Sequence, residues 1–260
     1  MGDVQLEDAG KSVKLLRLNR PAKLNALADA TVRDIGVLLD EVAASKATRV
    51  LIVSGAGRGF CAGLDLAVAT DAPGSDEGEA DAWMRRQELY AGVVTRLRAL
   101  PQPVIAAVNG VAAGAGLSLA LACDVRIAAR SARFNCAFIR IGLSSCDLGV
   151  SYLLPRCIGT ARAFELMLTG RMIDADEAGR IGLVSEVVDD ARLLARAVEL
   201  ASMIVANSAF GVWMTKRGMW ANLEAGSLQA ALELENRTQM LARTTGDMDR
   251  AVRARFADKG

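Results

Sequence analysis

Histidine is absent from all 260 residues of this chain. That absence excludes Ser-His-Asp and Cys-His nucleophilic machinery and any imidazole-ligated metal site. Acid–base chemistry must then fall to carboxylates, lysine, tyrosine, cysteine or water. Aromatic residues make up only 4% of the chain against 52% hydrophobic, so an aliphatic core is expected. The five cysteines (61, 123, 136, 146 and 157) form no C-x-x-C pair, and their odd number points to free thiols in a reducing compartment. Neither sign of charge dominates: 31 Lys and Arg face 30 Asp and Glu, a balance that argues against nucleic-acid binding. No apolar run approaches the ~20 residues that span a bilayer. The first eight residues also lack the basic-then-apolar pattern of a signal peptide. A cytoplasmic location without membrane insertion is expected.

What is present is an alternation of strand-like and helix-like segments through the first two thirds of the chain. Val13 to Leu18, Val50 to Val53, Val104 to Val108 and Asp124 to Ala128 read as strands. Between them, Val32, Ile35, Leu39 and Val42 keep the spacing of one helical face. A further helix is expected from Asp81 to Leu100, ended by Pro101 and Pro103. Residues 67–80 are acidic, small and rich in helix breakers, and read as a loop. The β-then-α rhythm predicts an α/β fold, a sheet covered by helices. From Ala161 the pattern turns helical, interrupted by a strand pattern at Leu183 to Val188. Arg192 to Val205, Phe210 to Leu223 and Leu228 to Leu241 each carry apolar residues three and four apart, broad faces suited to a neighbouring subunit.

Two turns of small residues each follow a buried-type strand. One is Gly57-Arg58-Gly59-Phe60-Cys61-Ala62-Gly63-Leu64-Asp65-Leu66; the other is Asn109-Gly110-Val111-Ala112-Ala113-Gly114-Ala115-Gly116-Leu117-Ser118. A single turn of this kind could bind phosphate, tighten a β–α connection, or aim helix N-terminal N–H groups at a carbonyl. Together, at this spacing, the pair closely resembles the oxyanion-hole motifs of the crotonase (enoyl-CoA hydratase/isomerase) superfamily. Further matches lie in Arg20-Pro21-Ala22-Lys23-Leu24-Asn25-Ala26-Leu27, in Leu168-Thr169-Gly170-Arg171, and in Phe256-Ala257-Asp258-Lys259.

The resemblance implies a crotonase-like spiral of β-β-α units over residues 1–195, followed by a helical trimerisation region over 196–260. It implies a homotrimer or homohexamer acting on acyl-CoA thioesters in fatty-acid metabolism. No metal and no separate cofactor are expected, because coenzyme A is part of the substrate. Leu64 and Ala115 would supply the two backbone N–H groups that hold the thioester oxygen as an enolate forms, one such donor contributing ~3–4 kcal/mol in other oxyanion holes. The substrate-binding set implied by the motifs is Lys23, Ala62, Gly63, Leu64, Asp65, Gly114, Ala115, Ser118, Phe138, Phe256 and Lys259.

The departures from the family pattern bear on the reaction. Hydratases of the superfamily carry a glutamate two residues after the last glycine of the second turn, and another twenty residues later. Here those positions hold Ser118 and Phe138. Hydration needs one group to activate water and one to deliver a proton, and neither residue serves at neutral pH. The segment Gly142-Leu143-Ser144-Ser145-Cys146-Asp147 falls where isomerases of the superfamily carry a single acid, with one extra residue before Asp147. Asp147 is read as a proton shuttle for double-bond isomerisation, or as a cap on the helix that follows. The alternatives are enoyl-CoA hydration through Asp147 and an ordered water, and a non-catalytic acyl-CoA binder.

Overall fold

The computed structural model describes residues 2–69, 76 and 78–257, with side chains as far as Arg255. The tip of the acidic loop (70–75 and 77), the side chain of Phe256, and Lys259 lie outside the described residues.

The chain opens with β1 (Val4–Gly10) and β2 (Val13–Leu18), an antiparallel hairpin, followed by α1 (Asp29–Ala44). Then the same unit repeats three times. β3 (Val50–Gly55), β4 (Gly59–Cys61) and α2 (Glu79–Ala99) form the first. β5 (Val104–Val108), β6 (Val111–Ala113) and α3 (Ala115–Ala122) form the second. β7 (Val125–Ala129), β8 (Arg133–Asn135) and α4 (Val150–Ile158) form the third. In each unit the first strand joins a six-stranded sheet of order β1-β2-β3-β5-β7-β10, and the second joins a four-stranded sheet of order β4-β6-β8-β9. The remaining elements are α5 (Thr160–Thr169), β9 (Ile173–Asp174), α6 (Ala175–Arg180), β10 (Glu186–Val188), and the helices α7 (Leu193–Val205), α8 (Ala209–Asn222), α9 (Leu228–Arg243) and α10 (Asp247–Ala257).

From β2 to β10 the large sheet is parallel, and its central strands are buried on both faces. Period-two alternation sorts their side chains. Leu51 and Val53 of β3, with Val104, Ala106 and Val108 of β5, join the main core beneath α1, α2 and α3. Val50, Ile52, Ile105 and Ala107 face the other way, against Leu193, Ala197 and Ala201 of α7. The stripe read from sequence on α1 is buried as expected: Val32, Ile35, Leu39 and Val42 are each at most 2% exposed. Burial of side chains this size stabilises by roughly 1.5–3 kcal/mol each.

One local reading of the sequence shifts, and two elements come in addition to those expected. The opening strand β1 alternates apolar and polar residues only over Val4-Gln5-Leu6-Glu7 before Asp8 breaks the pattern. The late strand expected at Leu183 to Val188 shortens to β10, because residues 181–185 form a turn. Residues Ala137–Ile141 form a short 3-10 helix between β8 and the segment bearing Asp147. Among the described residues no single helix is long and apolar enough to cross a membrane.

Candidate active site

The small sheet brings the two glycine-rich turns together. β4 and β6 pair in parallel, Gly59 with Val111 and Cys61 with Ala112, so the chain leaving each strand emerges at the same edge. The approach is close enough to require glycine. A Cβ on Gly116 would stand 2.0 Å from the Cys61 carbonyl oxygen. One on Gly63, at φ +92°, would stand 2.7 Å from the Ala113 oxygen and 3.3 Å from the Ala115 nitrogen.

This contact sets two amides side by side. Leu27 N–H donates to the Gly63 carbonyl at 2.7 Å and Asp65 N–H donates to the Leu27 carbonyl at 2.9 Å, which clamps the chain on either side of Leu64. The Leu64 N–H is left on the opposite edge with no acceptor among the described residues. Ala115 opens α3, where the first-turn N–H groups have no intrahelical partner, and its amide likewise has no acceptor. Two free donors from adjoining turns, the second at a helix N-terminus, are suited to developing negative charge on oxygen.

Side chains not read as site residues hold this backbone in place. Asn25, buried and left-handed at φ 58°, donates from Nδ2 to the Ala56 and Gly59 carbonyls at 3.0 and 2.7 Å. Asn109 grips the same turn from the other strand, accepting from Gly55 N–H at 3.0 Å and donating to the Gly57 carbonyl at 2.9 Å. Tyr90 of α2 donates to the Leu27 carbonyl and to Asp29; burial, then the Asp29 carboxylate, pushes its phenol up to about 12. Asn109 beside Gly110 is a readable turn signal. That Asn25 and Asn109 each reach across to another strand is not.

Asp65, read as substrate-binding, is an anchor of its loop. It pairs with Arg20 at 2.9 Å and accepts from the Ala67 N–H at 3.2 Å. Burial works to raise its carboxyl, yet the Arg20 hydrogen bond, the Ala67 amide and the charges of Arg20 and Lys23 hold it below the usual range. Lys23 itself is exposed in the short 3-10 turn Pro21–Lys23.

Ser118 and Phe138 occupy the two positions read from sequence, beside the second turn. Ser118 is fully buried one turn into α3, and its hydroxyl donates back to the Gly114 carbonyl at 3.3 Å. The Phe138 ring covers the start of the same helix: a Cβ on Gly114 would lie 3.7 Å from its Cε1. An apolar ring and a spent hydroxyl thus flank the Ala115 amide.

Asp147 lies just before α4, on a segment whose residues 139–144 are exposed. Its Oδ1 accepts from the Leu148 N–H at 2.8 Å and from Gln87 Nε2 of α2, whereas Oδ2 has no hydrogen-bond partner among the described residues. α4 is capped at Gly149 without a side-chain bond, so the carboxylate of Asp147 does not cap that helix. Among the described residues no group of three or more Cys, Asp or Glu is placed to hold a metal. A cavity of about 780 Å³ lies elsewhere, between α8 and the ends of β5 and β7, lined by Asp124, Arg126, Lys216 and Trp220 among others; Leu64, Ala115 and Asp147 do not line it.

The comparisons with known proteins identify the family. The family model described as "Enoyl-CoA hydratase/isomerase" matches residues 8–260. A probable enoyl-CoA hydratase of Mycobacterium bovis is 42% identical over 254 residues, covering 97% of this chain and 89% of the relative. A 1,2-epoxyphenylacetyl-CoA isomerase of Escherichia coli is 41% identical over 255 residues, covering 98% and 95%. The crystal structure of a probable enoyl-CoA hydratase/isomerase from Mycobacterium abscessus superposes with a TM-score of 0.92 at 39% identity, covering 99% of this chain and 96% of that one.

Proposed function

The chain belongs to the enoyl-CoA hydratase/isomerase family of crotonase-fold enzymes, and from that premise we propose that it shifts the double bond of an enoyl-CoA. The observation that carries this reading is the pair of free donors at Leu64 and Ala115, with Phe138 and Ser118 beside the second turn where hydration would need acids; Asp147 is the carboxylate we assign to the proton.

The carboxylate of Asp147 takes the proton at C2 of a 3-enoyl thioester, breaking that C–H bond. Its electron pair flows into the thioester carbonyl, giving a dienolate whose oxygen is held by the Leu64 and Ala115 N–H groups. The same proton returns at C4, the C2–C3 double bond forms, and Asp147 is a carboxylate again. One group serves as base and then acid, so no second protein acid is required. The dry side formed by Phe138 disfavours delivery of water to C3.

Hydration is the second reading, favoured by relatives that carry the hydratase name. It requires an ordered water to do the work of a missing glutamate. A non-catalytic acyl-CoA binder is favoured by Ser118 and Phe138 and opposed by Asp147, whose Oδ2 has no partner among the described residues. Incubation with 2-enoyl-, 3-enoyl- and 3-hydroxyacyl-CoA esters, followed by mass and ultraviolet absorbance, separates the three. Conversion of 3-enoyl to 2-enoyl ester without mass change is expected. Gain of water by the 2-enoyl ester, or no turnover at all, contradicts it.

Residues 196–260 are the part through which copies of the chain meet as a trimer or hexamer. The support is apolar surface: Met219, Leu223, Leu228, Leu232, Met240 and Leu241 are all exposed, and α9 buries no residue. Apolar faces of this extent mark interaction surfaces. Sedimentation at micromolar concentration is expected to give a trimer or hexamer; a stable monomer contradicts it.

A further inference from the structure

We propose that Gln87 is a positioning residue for Asp147: it holds Oδ1 and so leaves Oδ2 as the oxygen that moves the proton. This rests on the reading of Asp147 as the proton shuttle. The contact joins two elements far apart in sequence, Gln87 on α2 and Asp147 on the segment before α4. It is not isolated. Val94, seven residues after Gln87 and so on the same face of α2, meets the Asp147 segment at Gly149, where a Cβ would lie 3.6 Å from Val94 Cγ1. α2 thus touches the carboxylate segment at two points, one on the acid and one just beyond it.

The backbone between those points is held in an unusual shape. Leu148 takes φ +43° and Gly149 φ +80°, two successive left-handed residues. For leucine this conformation is unfavourable and persists only where surroundings enforce it. Leu148 is itself buried, and its N–H is turned back onto Oδ1 of Asp147. Among the described residues Oδ1 therefore has two donors from two elements, while Oδ2 has none. A carboxylate free to rotate would exchange its oxygens; one pinned at Oδ1 presents the same lone pairs at every turnover. Gln87 is suited to the task because its amide N–H₂ donates to a carboxylate without bringing a charge that would compete for the proton.

The test is steady-state isomerisation of a short 3-enoyl-CoA by the full chain carrying Gln87→Met or Asp147→Asn. Gln87→Met keeps the length and helix propensity and removes the donor without adding a charge. It should lower kcat by roughly 10–100-fold, the scale of a misplaced reacting group, with KM within about twofold and thermal unfolding unchanged. A Gln87→Met variant at parental kcat, beside an inactive Asp147→Asn, overturns the role of Gln87 and leaves the shuttle standing. So does a loss in Gln87→Met that falls on KM or on thermal stability and not on kcat. If Asp147→Asn keeps full isomerase activity, the shuttle fails and the positioning role falls with it.

Discussion

The two halves of the candidate site are built in opposite ways. The oxyanion half is made of backbone, sunk into the core, and over-determined: Phe60, Cys61, Ala112 and Ala115 are nearly or fully buried, Asn25 and Asn109 bond to its first turn, and Tyr90 holds Leu27, which pairs with Leu64. The carboxylate half hangs on one side chain, on a segment largely open to solvent, steadied by Gln87 and the Leu148 amide. The difference teaches which part sets the reaction. A thioester oxygen needs the same two donors whatever happens next, whereas the acid opposite can be moved, doubled or lost with the scaffold intact.

The largest expected break in this contrast comes from removing a donor. Ala115→Pro deletes an N–H at the first position of α3, where proline is tolerated by the helix. Turnover should fall ~10²–10³-fold with the fold retained, read by steady-state kinetics beside circular dichroism. Parental turnover would mean that this amide does not hold the substrate oxygen.

Next comes the contact between the turns. Gly116→Ala places a methyl group 2.0 Å from the Cys61 carbonyl, and overpacking against backbone costs about 1–3 kcal/mol or more. Chemical denaturation should show that loss, while Gly142→Ala, at φ +81° but with open space around it, should cost only ~1 kcal/mol. Equal losses would contradict the idea that contact between the turns is the tighter constraint.

A smaller effect concerns Asp65. Its carboxyl is held below the ordinary range, so the stabilisation it brings is complete above about pH 4, the unfolded value, and is lost as pH falls through the lower folded value. Asp65→Asn should cost ~1–3 kcal/mol at pH 7, and the gap to the parent should close in acid. A gap independent of pH would assign the loss to shape rather than charge.

The smallest effect separates the halves by thiol chemistry. Burial pushes the Cys61 thiol up to about 12, which keeps it inert, whereas Cys146 beside Asp147 is exposed. Alkylation of the native protein at pH 8 should label Cys146 and spare Cys61. Labelling of Cys61 at a comparable rate would show that the oxyanion half opens.

The same contrast explains what could be read in the chain before its structure. The strands at Val50 and Val104, the stripe on α1 and both small-residue turns were legible because period and glycine content follow directly from local backbone demands. The acid Asp147 was legible as a residue type at an expected place. Its surroundings were not: the bond from Gln87 spans 60 positions, and the left-handed Leu148 carries no compositional mark. Asp65 shows the converse. Its motif position suggested substrate contact, and only the fold reveals Arg20 as its partner. Local pattern marks where backbone must bend; which side chains meet afterwards is decided by tertiary packing.

The central claim is that one carboxylate moves the proton while two amides hold the oxygen. Its most direct test is conversion of a 3-enoyl-CoA to the 2-enoyl ester by the parent and by Asp147→Asn, with ester affinity measured on both proteins. The account predicts that the variant loses ~10²–10⁴-fold in isomerisation and binds the ester within about twofold of the parent. Undiminished isomerisation in Asp147→Asn, or hydration of a 2-enoyl-CoA that persists without this acid, would contradict it.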